Sequence, residues 1–194
     1  TDELNLDRIV SQFMLSRKVE GCSAKTLEYY REQLTPFVRW LAAQGVHSVT
    51  DITRDHIRGY LADMSEHRSA GGLHVCFRVL KTFTRWATRE YELKTWPDPM
   101  RNLQPPKLGH VPLPPINLSH VEAMLATCDD SFTGARDRAI ICMLLDTGLR
   151  AFELLALTCE DVISNTIHVR HGKGRKSRMV YIGEQTRFAL NAYM

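Results

Sequence analysis

The 194-residue sequence lacks any long hydrophobic run, and its five cysteines lack the spacing of a bonded or metal-binding set. The longest apolar stretch, Ala139 to Leu145, is seven residues, whereas a membrane-spanning helix needs ~20. No charged segment followed by an apolar run opens the chain, so we expect no signal peptide. The cysteines form no Cys-x-x-Cys pair, which argues against a disulfide framework or a zinc site. We therefore expect a cytosolic, reduced protein with no cofactor, no metal and no membrane partner.

The net charge is also small, because 25 Lys and Arg oppose 22 Asp and Glu. A value of +3 does not by itself indicate nucleic-acid binding. The prolines are concentrated instead: seven of the eight lie between Pro97 and Pro115. Since proline fixes φ and removes a backbone donor, this stretch predicts an extended linker. We expect a first domain at 1–104, a proline-rich linker at 105–117 and a second domain at 118–194.

The first domain is predicted to be a bundle of four helices. Apolar residues recur at helical spacing from Leu6 to Phe13. Ser23 is a suitable N-cap for a second helix, in which Pro36 predicts a kink or a break and Gly45 marks the end. Thr53 caps a third helix, and a fourth runs from about Ser69 to about Tyr91.

The second domain is predicted to mix helices with a small antiparallel sheet, so the chain as a whole is mainly α. Ser119 is the expected cap of its first helix. Two alternating segments flank a glycine-rich turn, the pattern of a β-hairpin. The remaining predictions are a buried helix at Ala135–Leu145, a helix at Ala151–Leu157, strands at Thr166–Arg170 and Ser177–Ile182 around Gly172–Gly174, and a helix from Glu184 to Met194.

Positive charge is concentrated on the predicted fourth helix, where no acidic residue occurs between His67 and Arg89. At about 100° per residue, four of its basic side chains fall within about 80° of arc, and its apolar residues lie on a separate face. A polyanion would gain affinity from such a stripe by counterion release. A merely solvated helix face remains open as the alternative. The four residues are Arg78, Lys81, Arg85 and Arg89.

A second acid-free basic segment covers the predicted hairpin from His168 to Arg178. Five Lys or Arg and two His occur there in eleven residues, and two glycines flank Lys173. This arrangement would expose an ammonium at a turn, where a phosphate is the natural partner. A solvated basic turn is the alternative.

The third feature is Arg150, which opens a helix just after Gly148 and has Glu153 three residues further on. The two side chains could form an ordinary i,i+3 ion pair. Alternatively, Glu153 could orient the guanidinium toward a phosphate, whose two oxygens suit its planar fork. The spacing alone leaves both interpretations open.

Taken together, these segments resemble the tyrosine recombinase (phage integrase) family, in an Xer-like form, over essentially the whole chain. The segment from Thr147 to Leu157 is similar to the family's first catalytic-arginine motif, and Gly172 to Arg178 is similar to its catalytic-lysine hairpin. Ser23 to Tyr30 resembles the start of its core-binding domain. Arg136-Asp-Arg-Ala-Ile is typical of the helix that precedes the arginine motif.

The resemblance implies an N-terminal SAM-like helical domain and a mixed α/β catalytic domain that clamp double-stranded DNA. It implies cleavage by a tyrosine that forms a 3′-phosphotyrosyl bond, without a metal. Arg150 would hold the phosphate oxygens, Glu153 would support it and Lys173 would protonate the leaving oxygen. The DNA-binding residues expected with them are Lys25, Thr26, Tyr30, Arg78, Lys81, Arg85, Arg89, Arg175, Lys176 and Arg178.

Two departures qualify these expectations. Phe152 stands where the family usually has a small residue. No segment before Met194 matches the family's His-x-x-Arg pair or its nucleophilic tyrosine, so we expect a fragment that does not cleave DNA alone. We also expect a cytoplasmic, nucleoid-associated monomer that self-associates on DNA only as the full-length protein. The alternatives are a recombinase-derived DNA-binding protein without catalysis, or a helical protein-interaction module whose basic stripe is only solvated.

Overall fold

A computed structural model describes residues 4–109, 113–170 and 176–194, and the chain divides into two compact units, Thr1–Val111 and Pro112–Met194. Most of the described residues are helical, and a single small sheet lies in the second unit. The expected mainly α fold is confirmed, with four long helices in the first unit and an antiparallel sheet in the second. The division at residue 111 falls inside the segment in which the sequence predicts a linker.

The described part of the first unit contains four α-helices, and the two N-caps that the sequence predicts, Ser23 and Thr53, are present. The Ser23, Thr53 and Ser69 side chains each accept a backbone N–H from the first turn of the helix that follows. Gly45 adopts a φ of +74° just beyond the second helix, a conformation that favours glycine. The helices are α1 (Leu6–Val19), α2 (Ala24–Ala43), α3 (Arg54–Ser65) and α4 (Ala70–Glu90).

The core of this unit is formed by one apolar face of each helix. Phe13 of α1 is fully buried and packs edge-on against Phe83 of α4, with ring centroids 5.5 Å apart, and against Trp86 at 5.3 Å. Aromatic pairs in this geometry add to the free energy gained by burial. These contacts fix α4 by its apolar face, which leaves the opposite face to solvent.

Pro36 predicts a kink or a break, and the break does not occur. The helix continues from Ala24 to Ala43 through the proline. A proline inside a helix costs a hydrogen bond and clashes with the preceding turn. Phe37 and Leu41, which follow it on the same helix, are both fully buried. Their burial holds the last turns of α2 in place in spite of that cost.

The chain that follows α4 packs back on the same core instead of leaving it at once. Trp96 is 6% exposed and donates its indole N–H to the carbonyl oxygen of Ile52 at 3.0 Å. Met100 is fully buried. The beginning of the proline-rich region is therefore part of the helical unit.

The described part of the second unit combines four α-helices with three strands, of which the first strand was not predicted from the sequence. The sheet has the order β1-β2-β3 with antiparallel neighbours, and Val169 pairs with Arg178. The predicted hairpin strands are confirmed as β2 and β3. The elements are α5 (Leu118–Ala126), α6 (Phe132–Thr147), α7 (Ala151–Leu155), β1 (Val162–Ile163), β2 (Thr166–Val169), β3 (Arg178–Tyr181) and α8 (Glu184–Tyr193).

Two helix starts in this unit differ from the predictions. Asn117, not Ser119, caps α5, since its side chain accepts the Ser119 N–H at 3.0 Å. Asparagine and serine are equally good caps, so composition could not separate them. The next helix begins at Phe132 instead of Ala135, with Ser131 as its cap.

The expectation that Ala135–Leu145 is buried is only partly right. Ala139 and Met143 of α6 are buried with β2 and α8 in the second core, whereas Leu144 and Leu145 are 37% and 45% exposed. The helix therefore has one buried face instead of being enclosed on all sides. Its buried side contacts α8, and Thr186 of α8 donates its hydroxyl to the carbonyl oxygen of Cys142 at 3.3 Å.

Candidate nucleic-acid interface and arginine site

The four basic side chains predicted to form a stripe on α4 are all exposed. The opposite face of α4, which includes Val79, Phe83 and Trp86, is buried. Across the part of the chain that the structure describes, none of the four stripe cations has a carboxylate within salt-bridge distance. The α4 stripe, defined here as Arg78, Lys81, Arg85 and Arg89, is therefore a continuous positive surface.

The N-terminal part of α2 carries the predicted residues Lys25, Thr26 and Tyr30, and its Tyr29 lies near Arg78 of the α4 stripe. The Tyr30 ring packs edge-on against Phe13 at 5.1 Å and is half-buried. Burial raises the pKa of the neighbouring Tyr29, and the positive charge of Arg78 opposes that rise. Tyr29 thus lies near the α4 stripe, which the sequence did not indicate. Lys25 is exposed, and the Thr26 hydroxyl lies 2.9 Å from that of Ser23.

In the second unit, a tight turn places Arg150 at the surface. Gly148 ends α6 with a φ of +60°, and the following Leu149 is 5% exposed and anchors the turn in the core. Arg150 then precedes α7 with extended backbone and a side chain that is 61% exposed. Only its Nη1 has a hydrogen-bond partner among the described residues, Glu153 Oε1 at 3.0 Å. Most of the guanidinium therefore faces solvent.

Glu153 has a side chain that is 2% exposed, and it accepts four hydrogen bonds. The Arg150 backbone N–H reaches its Oε2 at 3.0 Å, and Arg178 binds both carboxylate oxygens, at 2.8 and 2.7 Å. These bonds, above all those from Arg178, lower the pKa of Glu153 to about 2. Glu153 is thus a bridge between Arg150 and β3, and the i,i+3 ion pair with Arg150 is present, whereas the orientation of Arg150 toward a phosphate stays a prediction.

Both ends of the basic hairpin are held by buried carboxylates. Arg178 begins β3 and is bound to Glu153, and Arg170 follows β2 and binds Asp161, whose side chain is 2% exposed. Backbone and side-chain donors of Thr158, together with Arg170, lower the pKa of Asp161. The two pairs link the hairpin to the α7 region and to the turn before β1.

The structure describes only some of the remaining residues of the predicted lysine motif. Lys173 and Arg175 lie outside the described residues, so their predicted roles stay predictions. Lys176 is exposed. Both terminal nitrogens of Arg178 are engaged by Glu153, which gives it a structural partner in addition to its predicted role on DNA.

Sequence reasoning missed the pairing of Arg178 with Glu153, which lie 25 positions apart, and it missed Arg17 of α1. Arg17 lines one open groove together with the α4 stripe. Its only signal in the sequence is an ordinary i,i+3 spacing to Glu20.

In the segments 4–109, 113–170 and 176–194 no cluster of three or more potential ligand side chains could hold a metal ion. None of the described helices is long and apolar enough to span a bilayer.

Comparisons with known proteins agree with this arrangement in both units. Residues 12–91 match the model of the phage integrase N-terminal SAM-like domain, and residues 116–194 match that of the phage integrase family. A tyrosine recombinase XerC 2 of Ralstonia nicotianae is 31% identical over 202 residues, which cover 98% of this chain and 58% of that protein. A tyrosine recombinase XerD of the same species is 35% identical over 183 residues, covering 90% and 57%.

The fold is also shared with a solved structure. A lambda integrase tetramer bound to a Holliday junction superposes with a TM-score of 0.77 at 16% identity, over 96% of this chain and 55% of that one. At that identity the likeness concerns the fold alone. The chain spans less than three fifths of the length of these relatives.

Proposed function

Because the chain belongs to the phage integrase family of tyrosine recombinases and is Xer-like, we propose that it is the DNA-binding and partial catalytic portion of a site-specific recombinase. The whole protein would cleave and rejoin double-stranded DNA through a 3′-phosphotyrosyl bond, in the cytoplasm at the nucleoid. The single observation that carries the DNA-binding part is the α4 stripe, four exposed cations without carboxylate partners in the described segments.

The geometry of Arg150 supports a role on a phosphate. An arginine guanidinium is a planar, positively charged fork, and in Arg150 one edge of it is fixed by Glu153 while the rest is open. A fixed, positively charged fork can neutralise the charge that develops on a phosphate during transesterification, and it needs no reorganisation when the reaction occurs. Glu153 is a positioning residue in this scheme, since it contacts Arg150 and not the DNA.

We assign Lys173 the role of general acid for the leaving 5′-oxygen, because a lysine can release its proton and an arginine cannot. The proposal draws support from the attachment of both hairpin ends, through Arg170 and Arg178, to buried carboxylates.

A salt titration of duplex binding tests the DNA-binding proposal. Each phosphate contact adds about 0.9 to the slope of log affinity against log salt concentration. Replacing all four stripe residues by Gln should lower the magnitude of that slope by about 3.6, so the fall in affinity between 50 and 200 mM salt should be smaller by a factor of about 150. The reduction should be similar on unrelated sequences, because phosphate contacts carry no base information.

A control variant removes the same charge from elsewhere on the first unit. Arg8, Arg39, Arg54 and Lys94 are exposed and lie outside α4, and their replacement by Gln should change the slope far less. If the stripe variant and the control behave alike, the stripe is only a solvated face and the protein-interaction alternative gains support.

A nicked-duplex assay tests the catalytic part. We expect no covalent adduct with the 194 residues, because Tyr181 lies on β3 and the Tyr193 ring packs against Phe132 at 5.2 Å, neither in a nucleophile motif. A trapped adduct would contradict this. Reading the gene beyond Met194 separates a recombinase, with a later His-x-x-Arg pair and tyrosine, from the alternative of a recombinase-derived DNA-binding protein. We propose that the 194 residues are monomeric in solution and that self-association on DNA belongs to the full-length protein.

A further inference from the structure

The α4 stripe lines an open groove of about 490 Å³, to which α1 contributes one residue. Arg17 of α1 lines this groove together with the four stripe residues and Trp86. Five cations from two helices therefore face one concave surface. No role is assigned to α1 by the sequence motifs, which begin at Ser23.

The Arg17 side chain is built into the lining of this groove. It is only 18% exposed, and its guanidinium carbon lies 5.3 Å from the centroid of the fully buried Phe13 ring. Its Nε is buried and has no hydrogen-bond partner in the described structure. A stacked, preorganised guanidinium loses little conformational entropy when it binds an oxyanion.

Glu20 is the one described carboxylate that pairs with a cation of the groove. Its Oε1 accepts a hydrogen bond from Arg17 Nη2 at 2.5 Å and another from the Ser16 hydroxyl at 3.2 Å. The Ser16 oxygen in turn accepts the indole N–H of Trp86 at 3.1 Å, which joins α1 to α4. The Glu20 side chain is 50% exposed, so it can rotate away into solvent.

We propose that this α1–α4 groove binds a phosphate group of the DNA backbone and that Arg17 supplies the contact from α1. The proposal rests on the proposed DNA-binding function and adds a second helix to it. Glu20 neutralises Arg17 in the free protein. A phosphate then replaces the Glu20 carboxylate as the partner of Arg17, and the four stripe cations strengthen its binding by charge.

Two single variants and one control test the groove by the same salt titration. Arg17→Met keeps the apolar stem but removes the charge, and it should lower the slope by about 0.9, the value for one phosphate. Arg8→Met removes an exposed charge of the same helix outside the groove and should leave the slope nearly unchanged. Thermal melts of each variant establish that it is folded.

The opposite substitution keeps the test decisive even if Arg17→Met does not fold. Glu20→Gln releases Arg17 from its carboxylate, so duplex affinity should rise severalfold with the slope retained. If the Arg17–Glu20 ion pair serves only to stabilise the end of α1, this variant should lose stability and should not bind the duplex more tightly. Unchanged affinity in Glu20→Gln together with an unchanged slope in Arg17→Met would overturn the proposal.

The outcomes also separate this inference from the function on which it rests. If the fourfold stripe variant binds weakly but the Arg17 and Glu20 variants match the unmodified chain, only the groove inference fails. If the stripe variant itself retains full affinity and slope, the DNA-binding proposal fails first. The last experiment is a calorimetric titration with inorganic phosphate. A binding signal that is lost in Arg17→Met, in a variant whose duplex binding is unchanged, would make the groove a free-phosphate site and overturn the assignment to DNA.

Discussion

The buried Glu153 carboxylate should make the stability of the second unit sensitive to acid. Its ordinary pKa is near 4.5, and its two arginine partners lower that value to about 2 in the folded protein. A carboxyl group with a depressed pKa stabilises the fold above its unfolded-state pKa, and the contribution disappears as pH falls through the folded-state pKa. The sensitive window is therefore from about pH 4.5 down to about pH 2.

The size of the acid effect is given by the number of protons that the second unit takes up when it unfolds. Within this window the unfolded chain holds the proton on Glu153 and the folded chain does not, so unfolding takes up about one proton at this site. Urea denaturation at a series of pH values measures that uptake, since the pH dependence of the unfolding free energy is proportional to it. Asp161 contributes in the same direction, because its pKa is also lowered.

Comparison with Glu153→Gln isolates the Glu153 contribution from that of Asp161. The variant should be less stable at neutral pH, because a neutral amide forms weaker bonds with Arg178, and its unfolding should take up about one proton fewer between pH 4.5 and 2. Glu160→Gln is the matched control, since the Glu160 side chain is 85% exposed. Equal proton uptake in the unmodified chain and in Glu153→Gln would refute the bridging role assigned to Glu153.

Two further predictions concern packing. Pro36→Ala should stabilise the first unit by about 2 kcal/mol, because it restores a backbone N–H donor and removes a clash inside α2. The gain is reduced because the unfolded chain becomes more flexible without the proline. A loss of stability in urea denaturation would show that the proline is accommodated without cost. Gly134→Ala should destabilise the second unit by about 1–3 kcal/mol, because a Cβ there would lie 2.2 Å from the Asp129 carbonyl oxygen. Gly71→Ala, whose nearest neighbour is 3.9 Å away, serves as the control and should not destabilise.

The elements that the sequence predicted well are those determined by local chemistry. The caps Ser23 and Thr53 and the left-handed Gly45 follow from side-chain reach and backbone sterics within one turn. The exposure of the α4 stripe could be predicted from helical periodicity, because the apolar face on the other side of α4 is long and unambiguous.

The features that were missed depend on tertiary packing. The continuation of α2 through Pro36 is enforced by burial of Phe37, which the local pattern does not weigh against the proline. The two-residue strand β1 is too short to show a period of two. The pairing of Arg178 with Glu153 was missed because the two residues are remote in sequence and meet only when the sheet forms.

The packing of Trp96 and Met100 against the helical core defines where an autonomously folding fragment can be cut. The SAM-like match covers residues 12–91, yet Leu6 and Ile9 precede it and both late side chains follow it, all buried in the same cluster. A polypeptide trimmed to the match would lose these anchors and the indole bond to Ile52. A fragment made to fold as the isolated first unit should therefore extend from residue 4 to beyond residue 103, since sequence-family boundaries and thermodynamic boundaries do not coincide in this protein.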